Sequence, residues 1–326
     1  MIRYLIRRLL WAVVLFVAVT AVTYALFFIV PADPARIMAG KSASPAEVER
    51  VRKALGLDDP IYIQYAHFLK KLVIEGSLGT SYANRQEVND IVKSAAPVTA
   101  SLVFGGMIVW LLIAFPVGVY SALRPRSKTD RAAMVGVLIG ISAHPVWIGL
   151  LLSYFFGYRW QVTPIQGYCE VFSPPPGQSQ CAGFPIWQWA YHLILPWITI
   201  AVLYAAFYVR MIRSNTMETL NEDYVRTARA KGVRESTVLR SHVLRNAILP
   251  VVTMLGMDLA LALGGAIFTE YVFGLPGLGK EAVDSIRRFD YPTTVGITVF
   301  ATVVVITFNL LVDILYAYID PRIRLS

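Results

Sequence analysis

The chain has 326 residues, of which 56% are hydrophobic and only 16% charged, with a mean hydropathy of +0.56. So apolar a composition excludes an ordinary water-soluble domain of this size. The net charge of +9 is spread over four separate segments, which argues against a nucleic-acid surface and for membrane topology and lipid headgroups.

Runs of about 20 apolar residues can each cross a bilayer core of roughly 30 Å. Six are read, approximately Leu9–Val30, Val98–Leu123, Ala132–Phe156, Trp189–Val209, Ala247–Val272 and Thr293–Tyr318. They are continuous rather than alternating, which predicts an all-α bundle in lipid and not a closed barrel. Arg3, Arg7 and Arg8 give the first run the look of a signal peptide. Its length and the lack of a clean A-x-A site after it favour a retained helix. With the N-terminus placed in the cytosol, the segments on that side carry 17 of the 30 Lys and Arg. The segments on the other side balance in charge, so both termini are read as cytosolic.

The outer segment after the first run predicts two helices. In Ser44–Leu55, Ser44 can cap, Pro45 fits the first turn and Gly56 can end the helix. Ile61–Ile74 carries a one-sided stripe of Tyr62, Tyr65, Phe68, Leu69 and Leu72. These helices either lie along the outer membrane face or form a small outer domain. Further on, Pro116, Pro145 and Pro196 are expected to kink their spans. Gly136, Gly140, Gly256, Gly264 and Gly265 permit close helix approach. Cys169 and Cys181 share the proline-rich outer loop between the third and fourth runs, and an extracytoplasmic setting favours a disulfide between them. Closing so short a loop removes on the order of 3 kcal/mol of unfolded-state entropy.

A polar island interrupts the apolar pattern from Asn221 to Pro250, reading NEDYVRTARAKGVRESTVLRSHVLRNAILP. Asn221 can cap a helix of about ten residues, with Glu222 and Asp223 in its first turn. Arg226, Arg229 and Lys231 sit toward its end and Gly232 stops it, an order that complements the helix dipole. A second helix is expected from Ser236 to about Ile248, leading into the fifth span past Pro250. Residue chemistry alone leaves two readings open. The short helix docks a soluble partner, or it rests as a basic amphipathic helix on anionic headgroups.

Gly274–Lys280 reads GLPGLGK, the first seven positions of a phosphate-binding loop, but Glu281 stands where Ser or Thr would bind Mg²⁺. No strand precedes it, so it reads as a tight turn and not a nucleotide site. His67, His144, His192 and His242 have no ligand spacing, and no metal site is expected. Asp258 lies near the middle of the fifth run, where a carboxylate is costly. It either lines a route and meets the ammonium end of a cargo, or it makes a structural hydrogen bond. Asn309 and Asp313 form an i, i+4 pair on one face of the sixth run, read mainly as structural.

The island resembles the cytosolic EAA loop of ABC-importer permeases: Arg226, Thr227, Ala228 and Gly232 align with its core, and Ile248-Leu249-Pro250 with its end. Arg226 replaces the general Glu, and the spacing from Gly232 to Pro250 is longer than in sugar permeases. Both departures are features of the dipeptide/oligopeptide/nickel branch, which DYVRTARAKG and LRNA also resemble. PADPARIMAG, LGLDDPIYIQY, GSLGTS, His192–Pro196, Glu270–Pro292, Asn309, Asp313 and DPRIR match the same branch in order. The resemblance implies a type I permease with six transmembrane helices, a segment outside the cytoplasm between the first two, and a coupling helix between the fourth and fifth. It divides the chain into residues 1–30 (cytosolic end and first span), 31–97 (extracytoplasmic segment), 98–320 (permease core, with the coupling loop at 213–250) and 321–326 (cytosolic tail). Asp223, Tyr224, Arg226, Thr227, Ala228, Arg229, Ala230, Lys231 and Gly232 would couple to a separate ATPase. The implied location is a prokaryotic inner membrane. The implied partners are a second, homologous permease, cytosolic ATP-binding subunits that hold ATP and Mg²⁺, an extracytoplasmic solute-binding protein and membrane lipid. The chain itself would be no enzyme and hold no cofactor. The competing class is a secondary transporter using Asp258 and Asp313 as ion carriers, but no symmetry between two halves is visible in the sequence.

Overall fold

The computed structural model describes residues 2–29, 34–39, 43–54, 58–170, 185–263 and 266–319. In chain order these form α1 (Ile2–Tyr24), α2 (Pro34–Ala39), α3 (Pro45–Ala54), α4 (Ile61–Ile74), α5 (Val88–Leu123), α6 (Lys128–Ser142), α7 (Pro145–Leu152) and α8 (Pro185–Leu220). Then follow α9 (Asp223–Ala230), α10 (Glu235–Thr237), α11 (Arg245–Ala247), α12 (Leu249–Leu263), α13 (Ile267–Val272), α14 (Leu278–Arg287) and α15 (Tyr291–Ile319). Stretches wound as π-helix extend α1 over Ala25–Ile29 and α7 over Ser153–Arg159, and join α10 to α11 over Val238–Leu244. Among the described residues the only β-type contact is a bridge between Thr80 and Glu87.

Four helices among the described residues are long and apolar enough to cross a membrane: Ile6–Phe27, Val88–Leu123, Ile186–Leu220 and Tyr291–Val312. Two bent pairs, turning by 104° within 128–159 and by 43° within 235–263, bring the number to six if each is one span. Proline placement explains the contrast only in part. Pro145 does more than kink its run. It is the first residue of α7, and His144 before it is extended and caps α7 by accepting the Val146 N–H on Nδ1 at 3.3 Å. Pro116 and Pro196 instead lie inside unbroken helices.

Contacts divide the chain into two compact units: Met1–Thr99, Leu263–Ile267 and Pro276–Leu310, and then Ala100–Ala262, Phe268–Leu275 and Leu311–Ser326. In the first unit, Ser44 and Glu47 close a reciprocal capping box on α3. The Glu47 N–H donates to Ser44 Oγ at 3.3 Å, and the Ser44 N–H and hydroxyl donate to Glu47 Oε2 at 2.8 and 2.9 Å. The Ser44 backbone and side-chain donors together hold the Glu47 carboxyl below the usual range. The predicted stripe of α4 packs on α1: Tyr65 Oη lies 2.9 Å from Thr20 Oγ1 and Tyr24 Oη donates to Gln64 Oε1 at 3.2 Å. Val88, Val92 and Ala95 of α5 form an apolar cluster with Leu278 and Ile297. Beside the start of α15, Asp290 is only 3% exposed. It accepts the Ser81 hydroxyl at 2.5 Å, the Tyr82 N–H at 2.8 Å and the Thr293 hydroxyl at 2.8 Å. A buried carboxylate persists only with such a set of donors. Tyr82 is itself shielded, and burial pushes its phenol up to about 12.

The second unit is built around α8, whose apolar window is 56% buried, the highest of the four long helices. A side chain at Gly105 would overlap Trp197, so glycine there lets the indole lie against α5 and donate to the Ser101 carbonyl at 3.0 Å. At Gly140 a Cβ would fall 2.8 Å from that of Ala206, whereas Gly136 meets nothing within 4 Å. The expected close approach therefore holds at Gly140 and not at Gly136. A Cβ at Gly256 would overlap Val312, while Gly264 and Gly265 lie outside the described residues. Asp130, 3% exposed, receives Arg213 Nε at 2.7 Å and Nη2 at 2.9 Å, and the Arg126 N–H at 2.9 Å. This bidentate pair ties the start of α6 to α8.

Candidate functional site

The polar island folds as a short helix, a turn and a second helix. The expected cap at Asn221 is not used. Helix α8 runs on to Leu220, so Asn221 closes that helix, its amide donating to the Met217 carbonyl at 3.0 Å. Glu222 is the capping residue of α9, extended and without a side-chain cap bond. Val225 and Ala228 are 0% and 7% exposed and pack with Val238 and Val243 in one apolar cluster. Asp223, Tyr224, Arg226, Thr227, Arg229, Ala230, Lys231 and Gly232 are all exposed. Gly232 ends the helix with φ +75°, a left-handed conformation that glycine adopts without steric cost. The sequence thus sets two small apolar residues inward and a charged face outward, on a helix of only eight residues.

Arg226 lies 3.6 Å from Asp223, with side chains 69% and 97% exposed, a pair of little energetic weight. Two further polar ties flank the apolar cluster. At one end of α9, Arg229 Nε and Nη2 donate to the two oxygens of Glu235 at 3.1 and 2.6 Å. That carboxylate holds the guanidinium above its ordinary value. At the other end, Asn246 Nδ2 donates to Tyr224 Oη at 2.7 Å and to the His242 carbonyl at 3.3 Å. The second helix begins at Glu235, one residue before the expected start, and ends at Ala247 before the 43° turn into α12. Sequence reasoning missed Glu235 and Asn246 as partners of α9. Asn246 stood in the LRNA motif, but nothing in a linear pattern pairs it with a tyrosine 22 residues earlier.

Residues 114–325 match the family described as "Binding-protein-dependent transport system inner membrane component", and residues 1–103 match the N-terminal family of the same system. The chain belongs to this family. It is 36% identical to a probable D,D-dipeptide transport system permease protein of Escherichia coli (strain K12), over 98% of this chain and 97% of that one. It is 37% identical to an oligopeptide transport system permease protein of Bacillus subtilis (strain 168), over 98% and 99%. A dipeptide transport system permease protein of Escherichia coli (strain K12) is 36% identical over 99% of each chain. An inner-membrane component accounts for the apolar helices, and its binding-protein-dependent system for the expectation of partners.

The other residues singled out in this family member are scattered. Asp258 on α12 accepts a hydrogen bond from Tyr208 Oη of α8 at 2.7 Å, and Tyr208 is 0% exposed. Asn309 is half-buried, and the side chain of Asp313 lies outside the described residues. Cys169 is 1% exposed, and Cys181 lies outside the described residues. Gly274–Lys280 forms a turn into α14: Gly274 has φ +63°, and the Leu278 N–H donates to Thr99 Oγ1 at 2.9 Å. Burial pushes the Glu281 carboxyl up, against the opposing pull of Arg288.

Proposed function

We propose that this chain is a permease subunit forming half of the translocation pathway of an ATP-driven importer of di- or oligopeptides. The observation that carries this reading is similarity along the whole chain, at 36–37% identity, to permeases named for dipeptide and oligopeptide transport. The outward charged face of α9 supports a docking role for Asp223 to Gly232, with a cytosolic ATP-binding subunit as the visitor. In this reading the ATPase holds ATP and Mg²⁺ and the chain holds neither. Both termini are cytosolic, a second similar permease completes the pathway, and a binding protein delivers cargo from outside. Asp258, Asn309 and Asp313 are candidate pathway residues, and Cys169 pairs with Cys181.

The test is reconstitution of the chain in liposomes with a second permease, the ATPases and the binding protein. Labelled dialanine should accumulate only with ATP and the binding protein present. Uptake without any ATPase would sink the reading in favour of a secondary transporter. ATP- and binding-protein-dependent uptake of a nickel chelate, glutathione or an oligosaccharide, with none of peptides, would keep the transporter class and overturn the cargo.

A further inference from the structure

Helix α9 is too short to persist alone, so what holds it decides where a push upon it goes. The apolar cluster beneath it is non-directional and allows a small helix to roll or slide. The polar ties are directional, and they grip α9 at Tyr224 and at Arg229. Those anchors are five residues apart, or about 7.5 Å along a helix axis, enough to resist rotation about either one.

The two ties differ in where they lead. Arg229 meets Glu235 at the beginning of the second helix. Any push passing that way must cross the π-wound stretch Val238–Leu244, whose geometry departs from an ordinary helix. The Tyr224 tie touches that stretch only at its far end, where the hydroxyl donates to the His242 carbonyl at 3.5 Å, and it reaches beyond it to Asn246, in the last turn before the 43° bend. The bend has a chemical cause at the same residue. Pro250 lies four residues after Asn246. It has no N–H for the Asn246 carbonyl, and in an unbroken helix its ring would clash with that carbonyl. Asn246 therefore grips α9 with its side chain while its backbone marks the hinge.

We propose that Asn246 is a positioning residue for energy coupling, whose amide joins Tyr224 to the His242 carbonyl so that α9 and residues 235–247 move as one body and pivot against α12 at Ile248–Pro250. This rests on the reading that an ATPase docks on α9. Docking over Tyr224, which is 40% exposed, would exclude water from the tie and strengthen it just when force is applied.

The experiment measures dialanine moved per ATP hydrolysed by the complete complex in liposomes. Asn246→Ala should lower that ratio about two- to tenfold, the range of one hydrogen bond, while ATPase subunits still co-purify with the chain. Tyr224→Phe, which also removes the bond to the His242 carbonyl, should lower it at least as much, and the double variant should be no worse than Tyr224→Phe alone. An unchanged ratio in Asn246→Ala, or losses that multiply in the double variant, would overturn the proposal. So would loss of the ATPase subunits from Asn246→Ala alongside full coupling in Tyr224→Phe, which would make Asn246 a purely structural residue. A wild-type complex with no ATP-driven uptake refutes the functional reading and this inference with it. Normal wild-type uptake with a normal Asn246→Ala ratio refutes only this inference.

Discussion

The Asp290 cluster and the α9 frame use the same chemistry in opposite surroundings. Asp290, Ser81 and Thr293 are 3%, 1% and 0% exposed, and their hydrogen bonds join positions 209 residues apart in sequence. Around α9 the polar partners are exposed, and burial belongs to the valines and Ala228. In the first region polar bonds are obligatory, because a lost partner leaves an unsatisfied group away from water. In the second, water can replace any one bond, so apolar contact carries stability and the polar ties carry geometry. The docking role proposed for α9 suits the second arrangement.

The largest effect should come from Asp290→Ala, which strands two hydroxyls and one N–H in a buried place. A loss of about 3–5 kcal/mol, read as a lower melting temperature in detergent, is expected. A small shift would mean water reaches the cluster and would erase the contrast. Arg213→Ala tests whether the second unit holds a tie of the buried kind. It leaves Asp130 uncompensated at 3% exposure and should cost about 2–4 kcal/mol, with little dependence on salt. Val243→Ala removes two methyl groups from the cluster under α9 and should cost about 2 kcal/mol by the same melting measurement. Glu235→Gln should give the least, no resolvable change in melting temperature at high salt, because Arg229 and Glu235 are both solvated. A melting loss larger than that of Val243→Ala would reverse the ranking of apolar and polar contributions in the loop.

Local patterns in the sequence reported local structure well. The aromatic stripe gave α4 its bounds, Ile61–Ile74. Ser44 caps α3 as its position suggested, with Glu47 as a reciprocal partner that was not read in advance, and Gly232 marked the end of α9. The errors arose where two neighbours competed or distance was needed. Asn221 and Glu222 were both plausible caps, and the extra turn of α8 decided between them. Pro145 foretold a disturbance, but an extended His144 made it a turn of 104°. The Asp290 cluster and the Tyr224–Asn246 bond depend on tertiary approach, which no helical or strand period encodes. Family motifs implied a docking role for α9. They said nothing of what it is fastened to.

The turn at His144 has a consequence for the surrounding solvent. Pro145 has no N–H, so the carbonyl of Ile141, four residues earlier, has no helical donor to accept from. Each arm of the bent pair is about 15 residues long, or roughly 22 Å, shorter than the hydrocarbon thickness. If the pair lies in a bilayer, this carbonyl sits at depth, where lipid offers it no donor. A run whose composition suggests an oily anchor thus requires moisture, or the polar flank of another protein, near its midpoint.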